Sequence, residues 1–473
     1  MGKYKSLLKN ISILTISNFG SKILAFLLLP LYTSVLSTEE YGDYDVIYTT
    51  ITLLAPILTV NIAEGALRFL LEKESKKNQI IKITLLFNIF SVIVVAFMLA
   101  FNYFFRIIPI FYNYSLLFFF LYLSFSFYQT EQNITRGLDK IKQVGIGGLI
   151  NSLLVLILNI VFLIYLKMGI EGFFIANILS YFVTAIYLFF AGGTFKHIER
   201  DTTIDKSARK DLVSYSRPMM LNSISWWINS ASDRYLVTLL CGAAANGIYS
   251  MSYKIPTILT MFQSIFNQAW TISSVKTYDK DDKDNYFTNI YKVYNFLLTI
   301  VCSLIIIFSK PLASLLFKNE FFTAWEYMPF LLIAVVFSSL AGVLSGVFVS
   351  VKNSRLIGFT SLIGAIINVI FNIILINIIG PIGAAIATLI SSFSIWAVRF
   401  KKAEKYIRLN SINLLRDCVS YVLLVVQGIL LLCVSNWHVY LFEMAILFVI
   451  VSIYFGETTV LFRKALKRIR RKG

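Results

Sequence analysis

Long apolar runs, most of them roughly twenty to thirty residues, recur from one end of this chain to the other, and they leave few folds open. A hydrocarbon core about 30 Å thick needs about 20 helical residues at 1.5 Å rise each, whereas outer-membrane barrel strands alternate over about ten. The runs therefore predict transmembrane helices. With 58% hydrophobic and only 14% charged residues, the chain has too little polar surface for a soluble protein of 473 residues. The expected fold class is an all-α polytopic membrane protein. Fourteen spans are predicted, at roughly residues 7–36, 44–71, 80–104, 111–134, 144–166, 170–195, 212–241, 246–275, 286–309, 327–350, 355–379, 381–400, 412–434 and 439–462.

A net charge of +18 would suggest nucleic-acid binding in a soluble protein. Here the position of the charges decides otherwise. With the N-terminus inside, the cytoplasmic segments hold thirty-two Lys and Arg residues, and the opposite loops hold only Arg106, Lys167, Lys310 and Lys318. The bias alternates at every loop, so it sets the orientation and supports an even span count. Both termini are expected in the cytoplasm. No nucleic-acid partner is expected. The basic tail, 463–473, is read as an anchor on anionic lipid headgroups.

The first apolar run is too long for a cleavable signal and has no small-residue cleavage site near its end, so it is read as a retained span. Cys241, Cys302, Cys418 and Cys433 lack metal-ligand or CxxC spacing and read as packing residues. His197 and His438, the only histidines, fall at opposite membrane faces, so a His-based metal site or triad is excluded. Neither a metal nor a cofactor is expected.

The second half repeats the first. Gly145 and Asn159 in span 5 have the spacing of Gly358 and Asn372 in span 11, and Gly169, Gly172, Ala176, Ser180 match Gly380, Gly383, Ala387, Ser391. Gly42-Asp43-Tyr44 echoes Gly247-Ile248-Tyr249. Two six-helix lobes follow, 1–196 and 209–405, joined by a cytoplasmic linker 197–208 and followed by a span pair, 406–462. Six is even, so the lobes are parallel repeats. Asn159 and Asn372 read as interhelical hydrogen-bond partners beside small-residue faces.

Six ionisable residues inside these apolar stretches are taken as candidates: Lys22, Glu64, Arg68, Asp233, Arg234 and Lys254. A charge at mid-helix costs about 2.5–3.5 kcal/mol on insertion scales, and a polar path between helices is the default reason for keeping one. Asn18 shares a helical face with Lys22, and Asn61, Glu64 and Arg68 form a stripe on span 2. Span 7 carries Asn222, Trp226, Asn229 and Asp233 at helical spacing; span 8 adds Gln263, Asn267 and Trp270. Gln129, Asn133 and Arg136 lie toward the cytoplasmic end of span 4. Arg68 and Arg136 also suit snorkelling to the interface. Glu64 either neutralises Arg68 or binds a coupling ion, and Asp233 either bridges to Lys254 or Arg234 or does the same. Lys22 has no carboxylate one turn away.

Four cations, Lys22, Arg68, Arg234 and Lys254, against two carboxylates make the path positive, which favours an anion such as a diphosphate. The surrounding amides and aromatic rings suit sugar hydroxyls and pyranose faces. Pro30, Pro56, Pro218 and Pro256 are expected bending points or tolerated kinks.

The run Tyr215-Ser216-Arg217-Pro218, with Trp227, Asn229, Ser232-Asp233-Arg234-Tyr235, Gly242, Gly247-Ile248-Tyr249 and Tyr253-Lys254-Ile255, resembles the opening of the second lobe in Wzx-type polysaccharide repeat-unit flippases. These belong to the multidrug/oligosaccharidyl-lipid/polysaccharide exporter superfamily. The first lobe is similar in Ser21-Lys22, Leu28-Leu29-Pro30-Leu31-Tyr32, Glu40-Tyr41-Gly42 and Arg68-Phe69. The resemblance implies an alternating-access exporter that moves an undecaprenyl-diphosphate-linked oligosaccharide to the outer leaflet for capsule, O-antigen or exopolysaccharide synthesis. Lys22, Arg68, Arg234 and Lys254 would line its cavity, and the polymerase and chain-length regulator of the pathway would be partners. A lipid II flippase shares the layout and stays open. A cationic-drug exporter would prefer excess carboxylate. Asp43-Tyr44-Asp45 near the first outer loop would suit a polyprenol-dependent glycosyltransferase, but no predicted outer loop exceeds about twenty residues, so catalysis is not expected.

Overall fold

The computed structural model describes residues 24, 26–72, 76–198, 205–277, 285–351, 353–407, 412–434 and 436–470. Among them the chain is all-α. Its helices are α1 (Leu29–Val35), α2 (Thr38–Leu58), α3 (Ile62–Leu70), α4 (Lys77–Phe105), α5 (Pro109–Asn113), α6 (Ser115–Gly137), α7 (Ile141–Asn159, continued by a π turn Ile160–Tyr165), α8 (Gly169–Ala191), α9 (Lys206–Cys241), α10 (Ala243–Ser252), α11 (Lys254–Thr277), α12 (Tyr286–Leu316), α13 (Met328–Ser350), α14 (Ser354–Ile379), α15 (Ile382–Ala403), α16 (Leu414–Cys433) and α17 (Val439–Arg470). Each predicted span has a helical counterpart, the first only from residue 24 onward. The protein is a polytopic membrane protein of about fourteen spans, with two six-helix lobes and a C-terminal pair.

Eight of these helices are long and apolar enough to cross a membrane by themselves, nine if α2 and α3 count as one bent span. Three of the remaining spans carry polar residues: α6 holds Glu131 and Arg136, α9 holds Asp233 and Arg234, and α11 opens on Lys254. Intramembrane polarity is thus concentrated on a few helices, as expected where it serves a path.

Span 2 is broken. A capping box starts α2, with the Ser37 hydroxyl accepting from the Glu40 amide while the Glu40 carboxylate accepts from the Ser37 amide. Pro56 cannot donate in the helix ladder, and two residues beyond Leu58 the backbone turns left-handed at Val60 and Asn61, bending the span by 58°. Span 8 is interrupted only at Tyr253, between α10 and α11 and three residues before Pro256, where the backbone stays right-handed at φ -71°. Pro30 sits in the first turn of α1, where its missing N–H costs nothing, and Pro218 lies inside α9 without interrupting it. Of the four expected bends, the one near Pro56 is a measured break of 58°.

The duplication has a local structural signature. Gly169 and Gly380 both take positive φ, 56° and 70°, ahead of α8 and α15. Gly172 and Gly383 then let the new helix press on its predecessor: a Cβ would lie 2.8 Å from Met168 Cβ in one and 2.4 Å from the Leu375 carbonyl carbon in the other. Asn159 and Asn372 are fully buried, yet neither reaches across to a neighbouring helix; each amide donates to the carbonyl four residues earlier in its own helix. The expected interhelical role is corrected accordingly. An apolar surround leaves the amide's own backbone as the nearest acceptor.

The chain forms two compact units, Met1–Ala231 and Ser232–Gly473, so the division runs through α9. The first unit includes the opening half of α9, packed on α3 where Gly65 leaves room: a Cβ there would lie 2.2 Å from Ser216 Oγ. Trp227 donates from its indole to the Thr49 carbonyl at 3.0 Å, fixing α9 to α2. In the second unit the appended pair is joined to α12. Tyr421 donates to Asn295, Asn295 to Tyr454, and Tyr454 to the buried Asp417, at 2.9, 3.2 and 3.0 Å, while Arg416 pairs with Asp417 at 3.1 Å. Those bonds give α16 and α17 a fixed seat on the lobe.

Candidate functional site

In the first unit the candidate residues cluster around the break in span 2. Asn61, held left-handed at φ 51°, donates to Ser223 Oγ on α9 at 3.0 Å. Ser223 follows Asn222, which is exposed, as is Trp226 at 70% relative accessibility. Asn229 turns back to the Ser225 carbonyl on its own helix. Glu64 occupies the first turn of α3 and Arg68 the last, matching the helix dipole, and both are exposed. The expected Glu64–Arg68 pair does not form. Arg68 binds Glu72 instead, at 2.9 Å, because its long side chain runs toward the end of the helix. Asn18 and Lys22 lie outside the described residues.

The second unit holds the more enclosed cluster. Asp233, 4% exposed, accepts the Tyr249 hydroxyl at 2.7 Å and the Tyr253 hydroxyl at 2.5 Å, and a carboxylate oxygen also takes the Arg234 backbone amide at 3.0 Å. Asp233 is thus held by a double hydroxyl clasp. Adjacent residues on α9 point about 100° apart, and Arg234 lies with its guanidinium carbon 5.5 Å from the centre of the Tyr253 ring, a cation–π distance. Lys254 follows Tyr253 directly and is partly buried. Thr388 accepts Asn368 Nδ2 at 3.3 Å, while Asn372 donates to Asn368 Oδ1 at 3.0 Å. A carboxylate and two hydroxyls thus tie α9 to α10 and the tyrosine just after it, and a hydroxyl and two amides tie α14 to α15.

Gln263 and Asn267 are partly buried, and Asn267 Nδ2 would lie 2.8 Å from a Cβ placed on Gly342. Trp270 is not a lining residue. It is 4% exposed, donates to the Val343 carbonyl at 2.8 Å and lies across Gly346. Gly342 and Gly346, four apart on α13, let α11 approach closely, which makes the indole part of the helix contact.

Several buried polar groups were not among the sequence candidates, although Glu131 is a carboxylate inside the predicted span 111–134. Glu131 on α6 is 1% exposed, its Oε2 taking the Thr194 hydroxyl at 2.6 Å and its Oε1 having no partner among the described residues. Thr388 and Asn368 were silent in the sequence, since hydroxyls and single amides are common in apolar helices, while Tyr249 and Tyr253 stood in the motifs of the second lobe without an assigned role. Asn368 could have been found as the residue one turn before Asn372. Gln129 on α6 is exposed, whereas Asn133 is buried and Arg136 partly so, its charge lying within electrostatic reach of Glu64. No group of three or more His, Cys, Asp or Glu side chains could hold a metal among the described residues.

Comparison with known proteins gives the family. Residues 7–274 match the family model described as polysaccharide biosynthesis protein, and residues 218–374 match the MatE model. An uncharacterised membrane protein of Methanocaldococcus jannaschii is 26% identical over 415 residues, covering 83% of this chain and 97% of that one. Among solved structures, the lipid II flippase MurJ in an inward closed conformation aligns with a TM-score of 0.67 at 15% identity, over 96% of this chain and 99% of its own. An inward-facing multidrug resistance MATE family transporter aligns at 0.66 with 16% identity, over 81% and 94%. A transporter from Pyrococcus furiosus, titled for a binding pocket of reverse polarity that suggests a different function, aligns at 0.59 with 18% identity, over 84% and 95%. The chain belongs to the polysaccharide biosynthesis protein family and has the fold of the MATE and MurJ structures it aligns with.

Proposed function

We propose that this protein flips an undecaprenyl-diphosphate-linked oligosaccharide from the inner to the outer leaflet of a bacterial cytoplasmic membrane by alternating access. The observation that carries this reading is one of charge and place. Lys22, Arg68, Arg234 and Lys254 all fall within residues 7–274, the stretch that matches the polysaccharide biosynthesis model. They outnumber Glu64 and Asp233, and a diphosphate would offset the cost of their charge in a low-dielectric place. The lipid tail stays in the bilayer while the headgroup passes. Asp233, enclosed by two tyrosine hydroxyls, is the candidate for a coupling ion or proton, and Asn222, Trp226 and Asn229 for sugar contacts.

Sign of charge also separates this reading from a cationic-drug exporter of the same fold. The reverse polarity named for the Pyrococcus furiosus transporter is the same kind of argument. A lipid II flippase is the second reading, supported by the alignment to MurJ over nearly the whole chain, helices α16 and α17 included. Polymerase and chain-length regulator would act on the product, and the termini would face the cytoplasm.

The test is genetic and biochemical. Lys22→Ala and Arg234→Ala should abolish surface polysaccharide while leaving protein level intact; normal polysaccharide in both variants overturns the cationic assignment. Deletion of the gene discriminates the second reading, because loss of a lipid II flippase is lethal, whereas loss of a repeat-unit flippase is tolerated once earlier pathway steps are removed.

A further inference from the structure

Between the start of α14 and the end of α15 lies a groove of about 400 Å³, wholly within the second unit. Four cations line it: Arg355 from the first turn of α14, and Lys401, Lys402 and Lys405 from the end of α15 and just beyond. No carboxylate lines it among the described residues. All four side chains are exposed, so their charges face solvent rather than the protein interior. The other part of the lining is apolar, formed by Leu356, Phe359 and Val398, and Phe359 is 61% exposed along the helix. Basic at one end and greasy at the other, the groove has the amphiphilic character of a lipid with an anionic head.

Two features show that it is built into the fold rather than left by chance between loops. Asn353 caps α14 by accepting from the Leu356 amide at 3.4 Å, and donates to the Tyr406 hydroxyl at 3.2 Å, so the two ends of the groove are joined. Behind the wall, Arg399 is 7% exposed and meets only neutral oxygens. Its Nε donates to Thr360 Oγ1, itself a lining residue, and its other nitrogens donate to Ser345, Ser361 and the carbonyls of Ala341 and Ile357, all between 2.7 and 3.2 Å. Its positive charge has no carboxylate partner among the described residues. A fifth cation and the positive end of the α14 dipole therefore act on the same volume.

We propose that this groove binds the anionic phosphate headgroup of a membrane lipid. The phosphate lies among Arg355, Lys401, Lys402 and Lys405, and an acyl or prenyl chain runs past Phe359 into the bilayer. In the orientation set by loop charge, this end of the lobe is cytoplasmic, where anionic lipid is concentrated. The site is separate from the transport residues on spans 1, 2, 7 and 8, and it does not depend on which substrate the protein carries.

Native mass spectrometry of the detergent-purified full chain tests it, with phosphatidylglycerol, phosphatidylcholine and undecaprenyl phosphate as probes. Wild-type protein should retain one phosphatidylglycerol under conditions that strip phosphatidylcholine. Combined R355Q, K401Q, K402Q and K405Q should weaken that binding by at least about tenfold, since each basic residue near an anionic headgroup contributes about fivefold. The control combination K77Q, K142Q, K206Q and K210Q removes the same charge from exposed positions elsewhere and should stay within about twofold, with gel filtration confirming that both variants fold. Equal loss in both combinations, or none in the first, overturns the site. Competition by undecaprenyl phosphate assigns the headgroup to a polyprenyl carrier and its failure assigns it to bulk phospholipid; either result upholds a lipid-phosphate site.

Discussion

Asn159 and Asn372 make the same hydrogen bond 213 residues apart: each buried amide donates to the carbonyl one turn back, at 2.7 and 2.8 Å, and in each the amide oxygen has no partner among the described residues. Asn372 adds a second donation, to Asn368 Oδ1 at 3.0 Å, that Asn159 lacks. Gly169 with Gly380 and Gly172 with Gly383 extend the equivalence through the following turn into the next helix. The repeat is therefore conserved as geometry even where the intervening apolar residues have changed.

That equivalence makes the glycines sharp probes. Gly383→Ala forces a methyl to within 2.4 Å of the Leu375 backbone, which cannot rotate away, so it should lower stability by about 1–3 kcal/mol. Gly172→Ala meets side-chain carbons at 2.8 and 3.0 Å and should cost somewhat less. Gly358→Ala meets nothing within 4 Å inside α14 and should stabilise by up to about 1 kcal/mol through helix propensity. Thermal unfolding in detergent reads all three. A Gly383→Ala variant as stable as wild type would mean the two helices are not pressed together there.

Asp233 can be separated from its clasp. Tyr253→Phe deletes a donor to a buried carboxylate and should cost about 1.5–3 kcal/mol of stability. Asp233→Asn keeps an acceptor, and both hydroxyls can rotate to suit the amide, so the fold should survive with a small shift in melting temperature. Transport should nevertheless be lost in Asp233→Asn if the carboxylate carries a coupling ion or proton. Wild-type flux in that variant would reduce Asp233 to a structural tie.

Arg68 and Glu72 are 55% and 49% exposed, one turn apart. Such a pair contributes only about 0.3–0.5 kcal/mol, so Arg68→Ala should leave unfolding nearly unchanged. A loss of surface polysaccharide in Arg68→Ala can then be read as loss of a substrate contact. If Glu72→Ala causes the same loss, the pair as a unit matters, and Arg68 does not act alone.

How far the sequence reached depended on whether a feature is local. An apolar run of membrane-spanning length has one physical outcome in a bilayer, and every run is helical over its described residues. The break near Pro56 was legible for the same reason, since the missing N–H acts within one turn. Partnerships were not legible. Glu64 and Glu72 are equally spaced from Arg68, and only the direction taken by the side chain chose between them. Trp270 was read as lining because a helical face shows its neighbours' spacing but not that Gly342 and Gly346 on another helix receive the ring. Arg399 was counted among the loop charges, being the first basic residue after an apolar run. Its hydroxyl partners come from α13 and α14, so nothing near it in sequence marked it as buried.

Arg399 also yields the least obvious prediction. Its partners do not need it. Ala341 already accepts from Ser345 Oγ, and the Thr360 hydroxyl lies 2.9 Å from the Leu356 carbonyl, so removing the cation leaves these groups satisfied. Arg399→Met deletes a buried charge and its desolvation cost while keeping an unbranched side chain of similar reach, and should change stability by less than about 1 kcal/mol or raise it. Arg399→Lys should be the worse variant, because three ammonium protons cannot span five oxygens set for a planar fork and the charge remains buried. The order of melting temperatures, methionine above lysine, is opposite to the chemical similarity of the substitutions. Phosphatidylglycerol binding should fall in Arg399→Met and hold in Arg399→Lys, since the groove beside Thr360 feels the charge and not the fork. A methionine variant that unfolds would instead make the five hydrogen bonds the reason the arginine is there.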